Sequence, residues 1–258
     1  MPNNDSLFEN IYSAFLSAVE KYRLVEAGDR VAVCVSGGKD SMLASLFFKR
    51  YAAANPNVTV RYICMDPGYN AENRKMIESN AEKLGIPLDI FETQIFDSVV
   101  RIEKSPCYLC ARMRRGWLYR KAKEAGCNKI ALGHHFNDVI ETTVMAMFYG
   151  AQLQAMLPKL HSSNFEGMEL IRPMYCVHEE DIIRWKNAHG LEFLQCACRF
   201  TESCMAGDGT GVSKRQEVKQ LLRQLKRDNP DIEKSVFNSI HSVCLDTMPG
   251  WKTKGEEH

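Results

Sequence analysis

No window of the chain approaches the roughly 18 uninterrupted apolar residues that a membrane-spanning helix needs. Its first six residues, Met1-Pro-Asn-Asn-Asp-Ser6, have neither a basic start nor an apolar run of signal-peptide type. The expectation is a cytoplasmic protein without membrane contact. Net charge is nearly absent as well, at +1 over 258 residues, so the total names no partner and only local clusters of charge are informative. No internal repeat, composition shift or long linker divides the sequence, which predicts a single domain over 1–258 with a core of about 27–195. At 45% hydrophobic residues that domain buries a substantial core, which excludes a disordered chain. A Walker A loop, Gly-x-x-x-x-Gly-Lys-Ser/Thr, is missing too.

What stands in its place is Val31-Ala-Val-Cys-Val-Ser-Gly-Gly-Lys-Asp-Ser41, an apolar strand that opens into two glycines and then into an apolar helix pattern. Two glycines let a backbone turn and approach phosphate oxygens, and the unpaired N–H groups and positive dipole end of the next helix face the anion. Ser36, Lys39 and Ser41 add side-chain donors. The loop resembles the PP-loop of ATP pyrophosphatases, enzymes that activate a carbonyl oxygen by adenylation and release pyrophosphate.

Periodicity predicts a helix over 8–22, a buried parallel strand over 31–35, a helix over 41–51, a strand over 58–65, a helix over 70–84 closed by Gly85 and Pro87, and a strand over 88–93. A helix over 112–125, a strand over 129–132 and a helix over 138–148 follow. Beyond them lie a crossing segment from Arg172, a helix over 179–188, a short strand at Phe193-Leu194, and terminal helices over 214–227 and 232–243. This is an α/β chain with an open parallel sheet, helices on both faces and helical extensions at each end. In such a sheet, ligands sit beyond the carboxyl ends of the strands. Ser36–Ser41, Met65-Asp66, Cys107 with Cys110, and Gly133-His134-His135 all fall there.

Ten cysteines in a cytoplasmic chain argue for thiol chemistry or a metal site rather than a disulfide framework. Cys34, Cys64, Cys127, Cys176 and Cys244 read as small core residues. Cys107-Tyr-Leu-Cys110 places two thiolates near a helix start, where the dipole and Arg112, Arg114 and Arg115 favour ionisation. With Cys196, and Cys198 or Cys204 nearby, the pair fits a structural zinc, a redox disulfide, a persulfide carrier or an iron–sulfur cluster. The stretch from Arg112 to Lys123 interleaves cations with Trp117 and Tyr119, which reads either as a solvated face or as phosphate contact with base stacking. Gly133 permits close backbone approach, and Asp138, near the next helix start, reads as a cap, a magnesium ligand or a general base.

The order Val-Cys-Val-Ser-Gly-Gly-Lys-Asp-Ser, then Cys107-Tyr-Leu-Cys110-Ala-Arg-Met-Arg-Arg-Gly-Trp-Leu-Tyr, then Ala131-Leu-Gly-His-His-Phe-Asn-Asp-Val-Ile-Glu-Thr, then Met147-Phe-Tyr-Gly resembles the tRNA 2-thiocytidine synthetase family. The likeness continues through Pro158-Lys-Leu, Ile171-Arg-Pro and Asp181-Ile-Ile-Arg-Trp to Cys196. It implies an enzyme that uses ATP, Mg2+ and a [4Fe-4S] cluster to replace the 2-oxo group of an anticodon-loop cytidine with sulfur. On that resemblance Val35, Ser36, Gly37, Gly38, Lys39, Asp40 and Ser41 bind ATP, Asp40 also holds magnesium, and Met65, Asp66, Gly133 and His134 meet the nucleotide. Cys107, Cys110 and Cys196 match the cluster ligands, and Arg114 and Asp138 match the catalytic positions of related thiouridine synthetases. The implied partners are tRNA, a sulfur donor such as a cysteine desulfurase or free sulfide, and a second copy of the chain. One departure stands out. The family's second cysteine pair is usually Cys-x-x-Cys before Gly-Ser-Gln, whereas this chain has Cys196-Ala-Cys198-Arg-Phe-Thr-Glu-Ser-Cys204, and the family spacing from Asp181 selects Cys196. A thiolase acting on another tRNA nucleotide, or a PP-loop amide-forming ligase with a structural zinc, would share these motifs.

Overall fold

The computed structural model describes residues 6–93, 95, 106–194, 213–253 and 256–257, without the side chains of 106–111, 253, 256 and 257. Helix α1 (Ser6–Lys21) buries Phe8, Ile11, Tyr12, Phe15, Ala18 and Val19, a stripe at helical spacing. Its rings pack on Phe47 of α2 (Lys39–Ala54) at centroid distances of 5.1, 5.4 and 5.3 Å for Phe8, Tyr12 and Phe15. Strand β1 (Arg30–Val35) is buried at every position after Arg30, so it is covered on both faces. Helix α2 packs on β1 and on β2 (Thr59–Asp66). Helix α3 (Ala71–Leu84) starts where the Asn70 side chain accepts from Asn73 N–H and stops at Gly85, which has φ of 63°. Strand β3 (Leu88–Glu92), helix α4 (Pro106–Glu124), strand β4 (Lys129–Ala131) and helix α5 (Phe136–Gly150) follow. Helix α4 lies on β1, β2 and β4.

The sheet has six strands in the order β3-β2-β1-β4-β6-β5, where β5 is Lys159–His161 and β6 is Glu169–Ile171. All neighbours are parallel except β5 and β6. The expected α/β fold is present, with two differences. Strands β5 and β6 span three residues each and add an antiparallel edge, and such short runs have no period to read. Phe193-Leu194, expected as a strand, forms none; Leu194 N–H instead donates to Gly37 C=O at 3.3 Å. Helix α6 (Glu179–Ala188) buries Ile182 and Trp185 and packs on α1 and α2. The chain runs outward from β1 through β2 and β3 and then returns to β4 on β1's other side, so the strand order reverses between β1 and β4, the place where sheets of this kind bind ligands.

The chain divides into two compact units. The first, 1–136 with 157–211, contains the six-stranded sheet. The second is 137–156 with 212–258. It holds most of α5, helices α7 (Lys214–Asp228) and α8 (Ile232–Ser239), and a short pair of strands, β7 (Lys252–Thr253) and β8 (Glu256–Glu257). Helix α8 ends before the expected residue 243, and Cys244, expected in a core, is exposed. Cys34, Cys64 and Cys127 are buried as expected, and Cys176 is half-buried. Among the described residues no helix is long and apolar enough to cross a membrane.

Candidate active site

The loop after β1 is built for close quarters. Gly37 has φ of +81°, and a Cβ there would stand 2.6 Å from Ile77 Cγ1 and 3.0 Å from Leu194 Cδ1, so only glycine fits on both counts. Gly38 occupies the N-cap of α2 in an extended conformation and has no capping side chain, which leaves the first N–H groups of the helix open to an anion. The hydroxyls are ordered around that opening. Ser41 Oγ donates to Gly38 C=O at 3.0 Å and accepts from Ser36 N–H at 3.0 Å, with Ser36 Oγ 3.1 Å away.

Lys39 Nζ lies 3.0 Å from Asp40 Oδ1 and 3.4 Å from Glu179 Oε1 at the start of α6. Burial pulls the Lys39 ammonium down, but Asp40 and Glu179 outweigh it and hold the group above its usual range. Asp40 Oδ1 is shielded from solvent and accepts no hydrogen bond, and His135 Nε2 stands 3.8 Å away. A solvent-shielded carboxylate oxygen that is paired with Lys39 but accepts no hydrogen bond, beside an open helix N-terminus, fits a metal–phosphate ligand. The loop after β4 closes on the same point, because a Cβ on Gly133 would stand 3.0 Å from Ser41 N and 3.1 Å from Asp40 C. The neighbour that this glycine admits is therefore the first turn of α2. Sequence reasoning places His135 at this end of the sheet but gives it no role, and it misses Glu179 altogether. Glu179 is 140 residues from its lysine, and no local pattern reports that pairing.

At the end of β2, Met65 is buried with Ile95 against Phe91, Met113, Trp117 and Leu118. Asp66 is engaged with its own loop: Oδ1 accepts from Gly68 and Tyr69 N–H at 2.8 and 2.7 Å, and Oδ2 pairs with Arg74 at 3.0 Å. Arg114, half-buried on α4, comes near this strand end. Burial pushes the Cys64 thiol up to about 12, Asp66 acts in the same direction, and Arg114 acts against them. Cys107 and Cys110 sit three residues apart at the start of α4, on one helix face; Cys196, Cys198 and Cys204 lie outside the described residues. Among the described residues no group of three or more His, Cys, Asp or Glu side chains is placed to hold a metal ion.

Among the described residues, the rings of α4 are engaged with the protein. Tyr119 is 5% exposed and stacks on Phe165 at 5.1 Å, and Trp117 packs beside Met65. Asp138 belongs to the second unit, in the first turn of α5, where Arg215 donates to it at 2.5 Å and to Glu141 at 2.9 Å. Sequence reasoning misses Arg215 as well, since 77 residues separate it from Asp138.

Residues 8–198 match a PP-loop domain family. The chain is 34% identical over 247 residues to a tRNA-cytidine(32) 2-sulfurtransferase of Neisseria meningitidis, covering 93% of this chain and 74% of that protein. It is also 34% identical to the enzyme of the same name from Citrifermentans bemidjiense, of which it covers 92%. Among solved structures, the U34-tRNA thiolase NcsA from Methanococcus maripaludis, described with its [4Fe-4S] cluster, shares the fold at a TM-score of 0.71 and 20% identity, over 95% of this chain and 80% of that one.

Proposed function

The chain belongs to the PP-loop family of tRNA-cytidine 2-sulfurtransferases, and from that premise we propose that it replaces the C2 oxygen of cytidine 32 in tRNA with sulfur in an ATP-dependent reaction. The observation that carries this reading is the open N-terminus of α2, ringed by Ser36, Lys39 and Ser41 and backed by Gly133. Those donors would hold the phosphates of ATP, with Asp40 on magnesium, while Val35, Met65, Asp66 and His134 border the nucleotide.

The C2 oxygen is a poor leaving group, so it is first converted into one. Its attack on the α-phosphorus forms a P–O bond and expels pyrophosphate, with the charge stabilised by the loop N–H groups and Lys39; a magnesium ion held by Asp40 would add Lewis-acid stabilisation there. Sulfide then attacks C2, and the C2–O bond breaks so that AMP departs with the oxygen. Arg114, near the end of β2, is assigned to the transferring anion, and Asp138 to the proton transfers. A [4Fe-4S] cluster on Cys107, Cys110 and Cys196 would leave one iron free of thiolate and so supply a place for the incoming sulfur; two cysteines on one face at the start of α4, followed by cations, fit such a group. A cysteine desulfurase or free sulfide supplies the sulfur, and the setting is cytoplasmic. The exposed run Met147, Phe148 and Tyr149 with Leu153 supports a homodimer. The deciding experiment is nucleoside mass spectrometry of tRNA from cells with and without this protein. Loss of 2-thiocytidine is expected in the cells that lack it, and an unchanged nucleoside profile overturns the proposal.

A further inference from the structure

Two helices of this protein are rich in cations: among the described residues α7 pairs three of its six with carboxylates, leaving Lys214, Arg223 and Arg227, and α4 pairs one of six. On α7, Arg215 is paired with Asp138 and Glu141, Lys219 stands 4.0 Å from Glu141, and Lys226 stands 2.8 Å from Glu233. On α4, Lys121 has Glu124 at 2.7 Å. Among the described residues Arg112, Arg114, Arg115, Arg120 and Lys123 have no carboxylate partner, and all but Arg114 are exposed. Arg120 lies over the Trp117 ring at 4.9 Å, and Lys123 reaches only the Glu166 carbonyl at 3.5 Å. Cations at this spacing repel one another.

Arg112, Gly116, Arg120 and Lys123 recur at helical spacing and so form one stripe. Over the eleven steps from Arg112 to Lys123 it runs about 16 Å at 1.5 Å per residue. Gly116 is the unexpected member, since glycine weakens a helix interior. A Cβ there would meet nothing within 4 Å, so packing does not require its absence. The stripe thus has one bare backbone position, Gly116, flanked by cations that have no carboxylate partner among the described residues, and the helix that carries it begins at the proposed cluster cysteines.

We propose that the Arg112–Gly116–Arg120–Lys123 stripe of α4 is the phosphate track on which the tRNA backbone lies, with Gly116 letting it approach the helix. This rests on the thiolase reading and deepens it by assigning the RNA a surface. Because Tyr119 is buried and Trp117 is packed beside Met65, the track reads phosphates and does not stack bases. It is therefore sequence-tolerant and strongly salt-dependent.

The test is tRNA affinity measured between 50 and 200 mM salt, with ATP binding and the unfolding midpoint followed in parallel. Replacing Arg120 and Lys123 together (Arg120→Gln, Lys123→Gln) is expected to flatten the slope of log affinity against log salt by about 1.5 to 2. Gly116→Leu is expected to keep or raise the unfolding midpoint, leave ATP binding unchanged, and weaken tRNA about tenfold. A slope that stays at the wild-type value in the double variant, or that flattens only when Arg223 and Arg227 of α7 are replaced, overturns the assignment. A wild-type protein that binds no tRNA at 50 mM salt overturns the thiolase reading itself, which is a different result.

Discussion

The two ends of the central sheet are made of the same strands and do opposite things. At the amino end, just before β1 and at the first residues of β4 and β6, Lys129 is 4% exposed and has Asp29 at 2.7 Å, Glu169 at 3.0 Å and the Leu24 carbonyl at 2.9 Å. Asn128 ties Asp29 in from the side at 2.8 Å. Each charge is met by protein. At the carboxyl end Lys39 meets Asp40 and Glu179, but α2 begins without a capping side chain and Asp40 Oδ1 accepts no hydrogen bond. A sheet end whose polar groups are satisfied internally holds the fold together, and an end left with unmet donors and acceptors awaits a ligand.

That contrast can be broken from either side. The largest expected effect is at the carboxyl end: Asp40→Ala should abolish tRNA-dependent AMP formation while leaving the unfolding midpoint unchanged, and parental activity in that variant would put the nucleotide elsewhere. Cys196→Ser should remove the iron and the broad absorption near about 400 nm expected of the anaerobic protein, whereas Cys198→Ser should keep most of both. Iron lost from Cys198→Ser instead would shift the ligand register by two residues. At the amino end, Lys129→Met removes the one cation beside Asp29, which keeps only the Glu26 N–H and Asn128, while Glu169 keeps Lys159, so chemical denaturation should show a loss of about 3 kcal/mol, with ATP affinity per folded molecule retained.

The smallest effect is the pH dependence of this network. For Asp29 and Glu169 burial acts upward, yet Lys129, joined by the Glu26 N–H and Asn128 at Asp29 and by Lys159 at Glu169, outweighs it and holds both carboxyls below their ordinary values. Their contribution is therefore present above the unfolded value of about 4 and is lost as pH falls below it. For Lys129 burial acts downward, and Asp29 and Glu169 outweigh it to hold the ammonium above its ordinary value. That contribution is lost only as pH rises past about 10.4. Unfolding midpoints in the wild type should fall at both extremes, and Lys129→Met should flatten the acid side.

Much of the carboxyl end is legible in the chain's own order of residues. Strand β1, the two glycines and α2 lie within one short stretch of chain, and the cap of α3 at Asn70 follows from backbone geometry that this residue prefers. At the amino end the stop of α3 at Gly85 is legible, but the charge network is not. Asp29, Lys129 and Glu169 look like ordinary surface charges in sequence, and the parallel register that sets Arg30 near Asn128 and pairs Lys129 with Glu169 is what assembles them. The stretch from Arg112 to Lys123 shows the same limit within one helix, because its charges and rings are visible but not which of them the sheet covers.

The sequence by itself determined the strand, loop and helix that make the phosphate cradle, since each depends on interactions that reach only a few residues along the chain. Only the tertiary structure decided that Glu179 faces Lys39, that Gly133 presses on Ser41, that Arg215 holds Asp138, and that Tyr119 is buried while Arg120 is exposed. Those contacts join segments tens to more than a hundred residues apart, and their partners are set by sheet order and by which helix face meets the core.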